Sequence, residues 1–312
     1  RGIIALAEGD MITQIDQRMM ERDAHRLDCV CRYEVPLYSP SSARSPPSSS
    51  MKKLSVTPRS LMSLTCPHYL DNDDFLDLEA LFLGFPVPSL LASLSSEALA
   101  AHGALGDFQL TSATHAGCTR KRTHDQLACQ LADLGRRAGF SGVQTDYSRI
   151  PTVSGDSSMR GDIYFPRGLS LINPNIPVVC DVRLGHPYTG RGSFRQSLLS
   201  AISREKNNKY RDLYHSRNIT FVPLPISTFL GVGAEICHLL HLFATLAVTG
   251  RSHGETLSDE ADLPVATSAS SPEAAALGVC FSRMLKELQH GIALATLARL
   301  RGRDGFISSL ST

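Results

Sequence analysis

The chain has no excess of charge of either sign: 31 Lys and Arg stand against 30 Asp and Glu, a formal net charge of +1. No global field therefore draws it to nucleic acid, and any such binding has to come from local patches. It also has no apolar run long enough to span a bilayer. The best stretch, Ile236 to Val248, is short and carries His238 and His241, which at i and i+3 are read as flanking a buried helix, so no membrane partner is expected. A CxxC metal clip is missing as well: the eight cysteines are irregularly spaced, and Cys29 and Cys31 are too close to form half of one. With no secretory signal, this usage fits reduced thiols in an intracellular protein rather than a disulfide framework. The first residue is Arg, the expectation for a fragment or processed reading frame, with Met51 as a candidate start.

What is present is unevenly distributed. A length of 312 residues allows one large domain or two ordinary ones,. Residues 1–50 are expected to be a disordered or untranslated leader, with one helical pattern from Met11 to Met20 and a Ser/Pro linker over 39–50 that cannot bury a core,. Residues 51–118 read as an irregular helical segment, with helices near Phe75–Leu83 and Leu90–Ala101. Order increases at Thr123, which with Gln126 forms a capping-box pattern; Leu127, Leu131, Leu134 and Ala138 supply an apolar stripe, and Gly139 a stop,. Three strands are then expected over 142–151, 159–166 and 177–187, followed by a helix over about 194–216, a strand over 219–226 and a helix over about 232–248,. Residues 250–271 look like a second linker, and 272–312 like an alanine-rich terminal helix and tail. The compact unit is thus 119–249, an α/β layer arrangement.

Within it, PVVCDVRLGHP (177–187) sets a puzzle. Alternation along a strand puts Val178, Cys180, Val182 and Leu184 on one face and Val179, Asp181 and Arg183 on the other,. A carboxylate on so apolar a strand is costly without a cation. Taken alone, Asp181 and Arg183 would simply pair on a wet sheet face. Two further acids bear on the reading. Asp162 falls on the neighbouring strand, close enough that the two carboxylates need a cation between them, and Asp146 falls on the strand before that,. In the next helix Leu199, Ile202, Lys206, Lys209 and Leu213 make one stripe, so lysines interrupt the face turned to the sheet,. Two acids and a lysine at one sheet edge suit Mg²⁺ and a phosphodiester.

Thr123-His124-Asp125, Arg160-Gly161-Asp162, Asp181-Val182-Arg183-Leu184 and Lys206-Asn207-Asn208-Lys209-Tyr210, in this order, resemble the PD-(D/E)XK restriction-endonuclease-like superfamily. The closer resemblance is to the nuclease-like region C-terminal to reverse transcriptases of non-LTR retrotransposons. LFLGFPVP (81–88) and LGDF (105–108) look like the approach to that region, and the resemblance covers roughly 75–250. It implies a restriction-endonuclease-like αβββαβ core, with a mixed central sheet flanked by helices and with irregular N-terminal and helical C-terminal extensions. It further implies Mg²⁺-dependent hydrolysis of DNA. Asp162 and Asp181 would bind the metal with the Val182 carbonyl, Lys209 or Lys206 would orient water or stabilise charge, and Asp146 would be an auxiliary acid. DNA, or RNA of a retroelement, is the implied partner. Arg120, Lys121 and Arg122 beside a helix start, with Arg160 and Arg183, are the candidate phosphate contacts,. A retroelement product of this kind would act in the nucleus.

Two departures stand out. Arg183 occupies the place where the superfamily usually has lysine; arginine stays protonated and cannot act as a base, so a lysine would have to come from the helix. Gly106-Asp107-Phe108 replaces a GDH step and removes an expected ligand. What remains of a knuckle is His115, Cys118 and His124, with Cys66 or His68, a candidate zinc site without standard spacing,. Three functions stay open: a nuclease, a non-catalytic nucleic-acid-binding remnant and a structural α/β protein.

Overall fold

The computed structural model describes residues 17, 20, 70–112, 117–153, 160–169, 176–189, 193–195, 197–250 and 272–302. Apart from residues 17, 20 and 250, the expected leader and both linkers (39–50 and 250–271) lie outside the described residues, as do Cys66, His68 and His115. From residue 70 onward the described residues begin with four helices, α1 (Asn72–Leu83), α2 (Pro88–Ser93), α3 (Ser96–His102) and α4 (Asp107–Thr111). The single helix expected over Leu90–Ala101 is two, because Ser95 leaves helical geometry and its hydroxyl accepts from the Ala98 N–H, starting α3 anew,.

The rest is α5 (Gly117–Arg137), β1 (Ile163–Phe165), β2 (Val178–Gly185), α6 (Leu198–His215), β3 (Thr220–Ser227), α7 (Ala234–Thr249) and α8 (Pro272–Arg301). The sheet order is β1-β2-β3. β1 pairs antiparallel to β2, with Ile163 opposite Cys180, and β2 pairs parallel to β3, with Asp181 opposite Pro223. The class is therefore mixed α/β, with a three-stranded mixed sheet flanked by helices. Pro223 and Pro225 are tolerated because, among the described residues, β3 has a strand neighbour on one side only, so the edge with their missing N–H groups leaves no gap in the ladder,.

The first of the three strands expected from the sequence is not there. GVQTDYSRIP contributes one bridge, Gln144 to Tyr164, and the strand ends there because Asp146 folds onto its own neighbours. Its Oδ1 accepts from the Ser148 N–H at 2.9 Å and from the Ser148 hydroxyl at 2.8 Å, a local turn that competes with the ladder,.

β2 is covered on both faces. Val178, Cys180, Val182 and Leu184 join Leu127, Leu131 and Leu134 of α5, Phe243 of α7 and Leu288 and Ile292 of α8 in the main core. Val179, on the opposite face, joins Tyr210, Tyr214 and Phe221 with Ile150 and Val153. The alternation expected for this strand thus holds, and α8 is an integral part of the core. Among the described residues no helix is long and apolar enough to cross a membrane.

Candidate metal centre

Asp162 reaches β2 because the residue before it has no side chain. A Cβ on Gly161 would lie 2.4 Å from Val179 Cγ1 and 2.7 Å from the Cys180 carbonyl oxygen, a backbone atom that cannot give way. With glycine there, the Asp162 N–H donates to Cys180 O at 2.8 Å, and Asp162 Oδ2 accepts from the Val182 N–H at 2.7 Å. The carboxylate is fixed against the strand that carries Asp181, and both acids are buried.

His124 closes the space from the α5 side. The capping box expected at Thr123 is not the helix start: α5 begins at Gly117, and Thr123 is fully buried inside it, donating to Thr119 O at 2.8 Å and accepting from Arg299 Nε at 2.9 Å. His124 stands one turn ahead of Ala128 and two ahead of Leu131, on the face that packs against the sheet,. Its Nε2 lies 3.1 Å from Asp162 Oδ2 and 3.0 Å from the Val182 carbonyl oxygen, and its Nδ1 lies 3.0 Å from Asp125 Oδ1. The Tyr147 hydroxyl donates to Asp125 at 2.9 Å and stands 3.5 Å from Asp162 Oδ1. Arg160 stacks its guanidinium over the Tyr147 ring at 5.6 Å and donates to the Tyr147 carbonyl.

Lys206 enters from α6, its ammonium 2.8 Å from both Asp181 oxygens. Lys209 does not reach the carboxylates: it is exposed, with its ammonium 4.7 Å from the Tyr210 ring centre. The buried stripe of α6 runs through Leu199, Ile202, Tyr210 and Tyr214, and Leu213 is exposed, so the face is rotated from the one drawn through Lys209 and Leu213. Tyr214 earns its burial by accepting from the Gly161 N–H and donating to Pro151 O, both at 3.1 Å.

The remaining sequence candidates fall elsewhere. Arg183 pairs with Glu205 on the exposed side of α6, so neither an Asp181–Arg183 pair nor an Arg183 pointing between the acids is formed. Asp146 is exposed in its turn and is not part of the cluster. Arg120, Lys121 and Arg122 lie exposed in the first turns of α5, one turn before His124. Of the candidate zinc site, Cys118 lies at the start of that helix and the His124 ring is turned to the carboxylates. Asp107, in the altered GDH step, is the buried first residue of α4 and pairs with His186 at 3.0 Å; His186 in turn meets the Thr228 hydroxyl at 2.7 Å.

The electrostatics follow from burial opposed by neighbours. Burial, then repulsion from Asp162, pushes the Asp181 carboxyl up to about 6, against the attraction of Lys206 and His124,. Burial alone would lower the His124 imidazole, but the Asp162 and Asp125 carboxylates outweigh it and hold the ring up at about 9. Burial and the same two acids raise the Tyr147 phenol, keeping it a donor.

The donor set fits a divalent cation. His124 Nε2 and carboxylate oxygens of Asp162 and Asp181 lie within 4.8 Å of one another. Adjacent ligands about an octahedral ion with bonds of about 2.1 Å are about 3.0 Å apart, which is the spacing of His124 Nε2 from Asp162 Oδ2 and from Val182 O. Lys206 leaves each Asp181 oxygen a second lone pair,. Sequence reasoning missed His124, Asp125 and Tyr147 in this setting; the signal for His124 was its helical spacing to Ala128 and Leu131. Comparison of the chain with protein-family models, with curated proteins and with solved structures gives no match.

Proposed function

We propose that this is a retroelement-derived nuclease-like domain of the PD-(D/E)XK type, hydrolysing DNA phosphodiesters with a divalent cation, Mg²⁺ being the ion the resemblance implies. The observation that carries the reading is the convergence of Asp162, Asp181, the Val182 carbonyl and the Lys206 ammonium at one point beside β2. Asp162 and Asp181 hold the cation, with the Val182 carbonyl beside them. When bound, the cation lowers the pKa of a water and neutralises phosphate charge. Lys206, fixed on Asp181, offers an ammonium to the developing negative charge without leaving its carboxylate,. It takes the place of the superfamily's strand lysine, which Arg183 cannot fill. Arg160, held over Tyr147, and the basic turns of α5 supply phosphate contacts beside the site,.

One observation favours a second reading, a nucleic-acid-binding remnant: His124 and Lys206 already neutralise the two carboxylates, so the cluster is stable without a metal. A nicking assay on supercoiled DNA with Mg²⁺ or Mn²⁺, paired with a DNA-binding measurement, separates them. The nuclease reading expects wild-type nicking that Asp181→Asn lowers by at least about a hundredfold, the scale on which loss of a preorganised charge acts. DNA affinity should stay within about twofold, because Asp181 makes no phosphate contact. Binding without nicking by wild type leaves the remnant; neither leaves a structural α/β protein.

A further inference from the structure

We propose that His124 is itself a ligand of the metal, with Asp125 and Tyr147 as its positioning residues, and that the site therefore favours Mn²⁺ over Mg²⁺. The inference rests on the reading of the cluster as a cation site, though not on the cluster being catalytic. Four contacts carry it. Asp125 Oδ1 sits 3.0 Å from His124 Nδ1. A carboxylate oxygen only accepts, as it does from the Tyr147 hydroxyl, so the ring nitrogen donates to it and carries a hydrogen on Nδ1,. A carboxylate gripping the far nitrogen of an imidazole is how histidine ligands are oriented at metal centres. The near nitrogen, Nε2, faces Asp162 Oδ2 and Val182 O, both at about 3 Å, so that its lone pair is offered to the same point when an ion takes the place of its proton. Asp162, Asp181 and the carbonyl can only accept there, so the centre of the group calls for a cation. A proton on Nε2 meets that need in part; a metal ion meets it for all the donors at once.

The ligand type sets the preference. Mg²⁺ takes oxygen ligands and gives up water reluctantly, whereas first-row ions bind imidazole nitrogen readily. A centre of one imidazole, two carboxylates and a carbonyl therefore discriminates against Mg²⁺ in a way that an all-oxygen pair of acids would not.

The test uses the full chain and Mn²⁺ itself. Electron spin-echo envelope modulation of the bound ion should show nitrogen coupling from an imidazole, and titration calorimetry should give tighter binding of Mn²⁺ than of Mg²⁺. His124→Ala should abolish the nitrogen coupling and weaken Mn²⁺ by at least about tenfold, with a smaller loss for Mg²⁺, so that the preference narrows. If His124→Ala fails to fold, Asp125→Asn serves: nitrogen coupling should persist while Mn²⁺ affinity falls by about tenfold, the scale of losing a ligand's support. Manganese bound without nitrogen coupling, coupling that survives His124→Ala, equal losses for both ions or no binding at all would each overturn the inference. Nitrogen coupling in a protein that never nicks DNA would uphold it and sink the nuclease reading.

Discussion

Two pairs of buried aspartates behave differently in this molecule. Asp74 and Asp77 lie one turn apart on α1, and Asp162 and Asp181 face each other across the β1–β2 junction; all four are buried. The first pair is answered by one residue. Arg301, at the end of α8, donates Nε and Nη2 to Asp77 Oδ2 at 2.8 and 2.6 Å and Nη1 to Asp74, while Asp77 Oδ1 accepts from the Ser89 N–H at the start of α2. A planar fork of donors from one helix thus ties down two others. The second pair is answered by two single nitrogens from two elements, His124 of α5 and Lys206 of α6. Buried charge is common to both clusters and so does not mark a site. What differs is the cation: a guanidinium has no lone pair to offer a metal, and an imidazole does.

The sharpest way to break the comparison is to remove each cation. Arg301→Met strands two carboxylates in a buried place and should cost on the order of 3–5 kcal/mol. Lys206→Met should cost less, about 1–2 kcal/mol, because Asp181 is already displaced toward its protonated form and His124 remains nearby. Urea unfolding of the two variants at neutral pH gives the ordering. Equal losses would mean that the Asp181 cluster is as closed a structural lock as the one on α1.

A pH series on the chelator-treated protein sharpens it further. His124 is held at about 9 in the folded chain against an ordinary 6.5, so the folded state binds its proton more tightly. The stabilisation is then complete below pH 6.5 and is lost as pH rises through about 9. The loss should be on the order of 3 kcal/mol. Asp181, raised from 3.8 to about 6, has the same sign in a lower window, losing stability as pH climbs through 6. His124→Gln should flatten the slope between pH 7 and 9, and Arg301 contributes none there because its guanidinium stays protonated. A wild-type slope unchanged by His124→Gln would show that the imidazole is not tied to Asp162 in solution.

How much of this was legible beforehand depends on the physics of each residue. The two faces of β2 follow from alternation alone, and both pack as expected. The helix after β2 lies within a few residues of its expected bounds, and of the two lysines on its expected inward stripe Lys206 meets Asp181 while Lys209 is exposed. An aliphatic stripe was traced to Leu213, whereas Tyr210 and Tyr214 take the buried positions because their rings fill the space over Phe221. The start of α5 was misplaced because Thr123 uses its hydroxyl inside the helix, back to Thr119 and outward to Arg299. Arg299 is a contact 176 residues away in sequence. The strand expected at 142–151 fails at a side chain, the Asp146 carboxylate, which closes a turn that no hydrophobic pattern encodes. His124, grouped by nearness in sequence with His115 and Cys118, has its ring against Asp162 and Val182, which lie 38 and 58 residues away.

The smallest expected effects test where the cluster ends. Arg183 shares the β2 face of Asp181, but its guanidinium turns outward to Glu205, and both partners of that ion pair are well exposed, at 42% and 60% of their side-chain surface. An exposed pair of this kind is worth well under about 1 kcal/mol. Arg183→Lys should therefore leave stability within about 0.5 kcal/mol of wild type, and it should leave Mn²⁺ affinity unchanged, since neither side chain reaches Asp162 or His124. Were Arg183 drawn into the site by DNA, lysine at this position would instead restore the superfamily's usual group, and the nicking rate would rise while metal binding stayed the same. Measuring both quantities on the one variant distinguishes an arginine that merely decorates α6 from one that the substrate recruits.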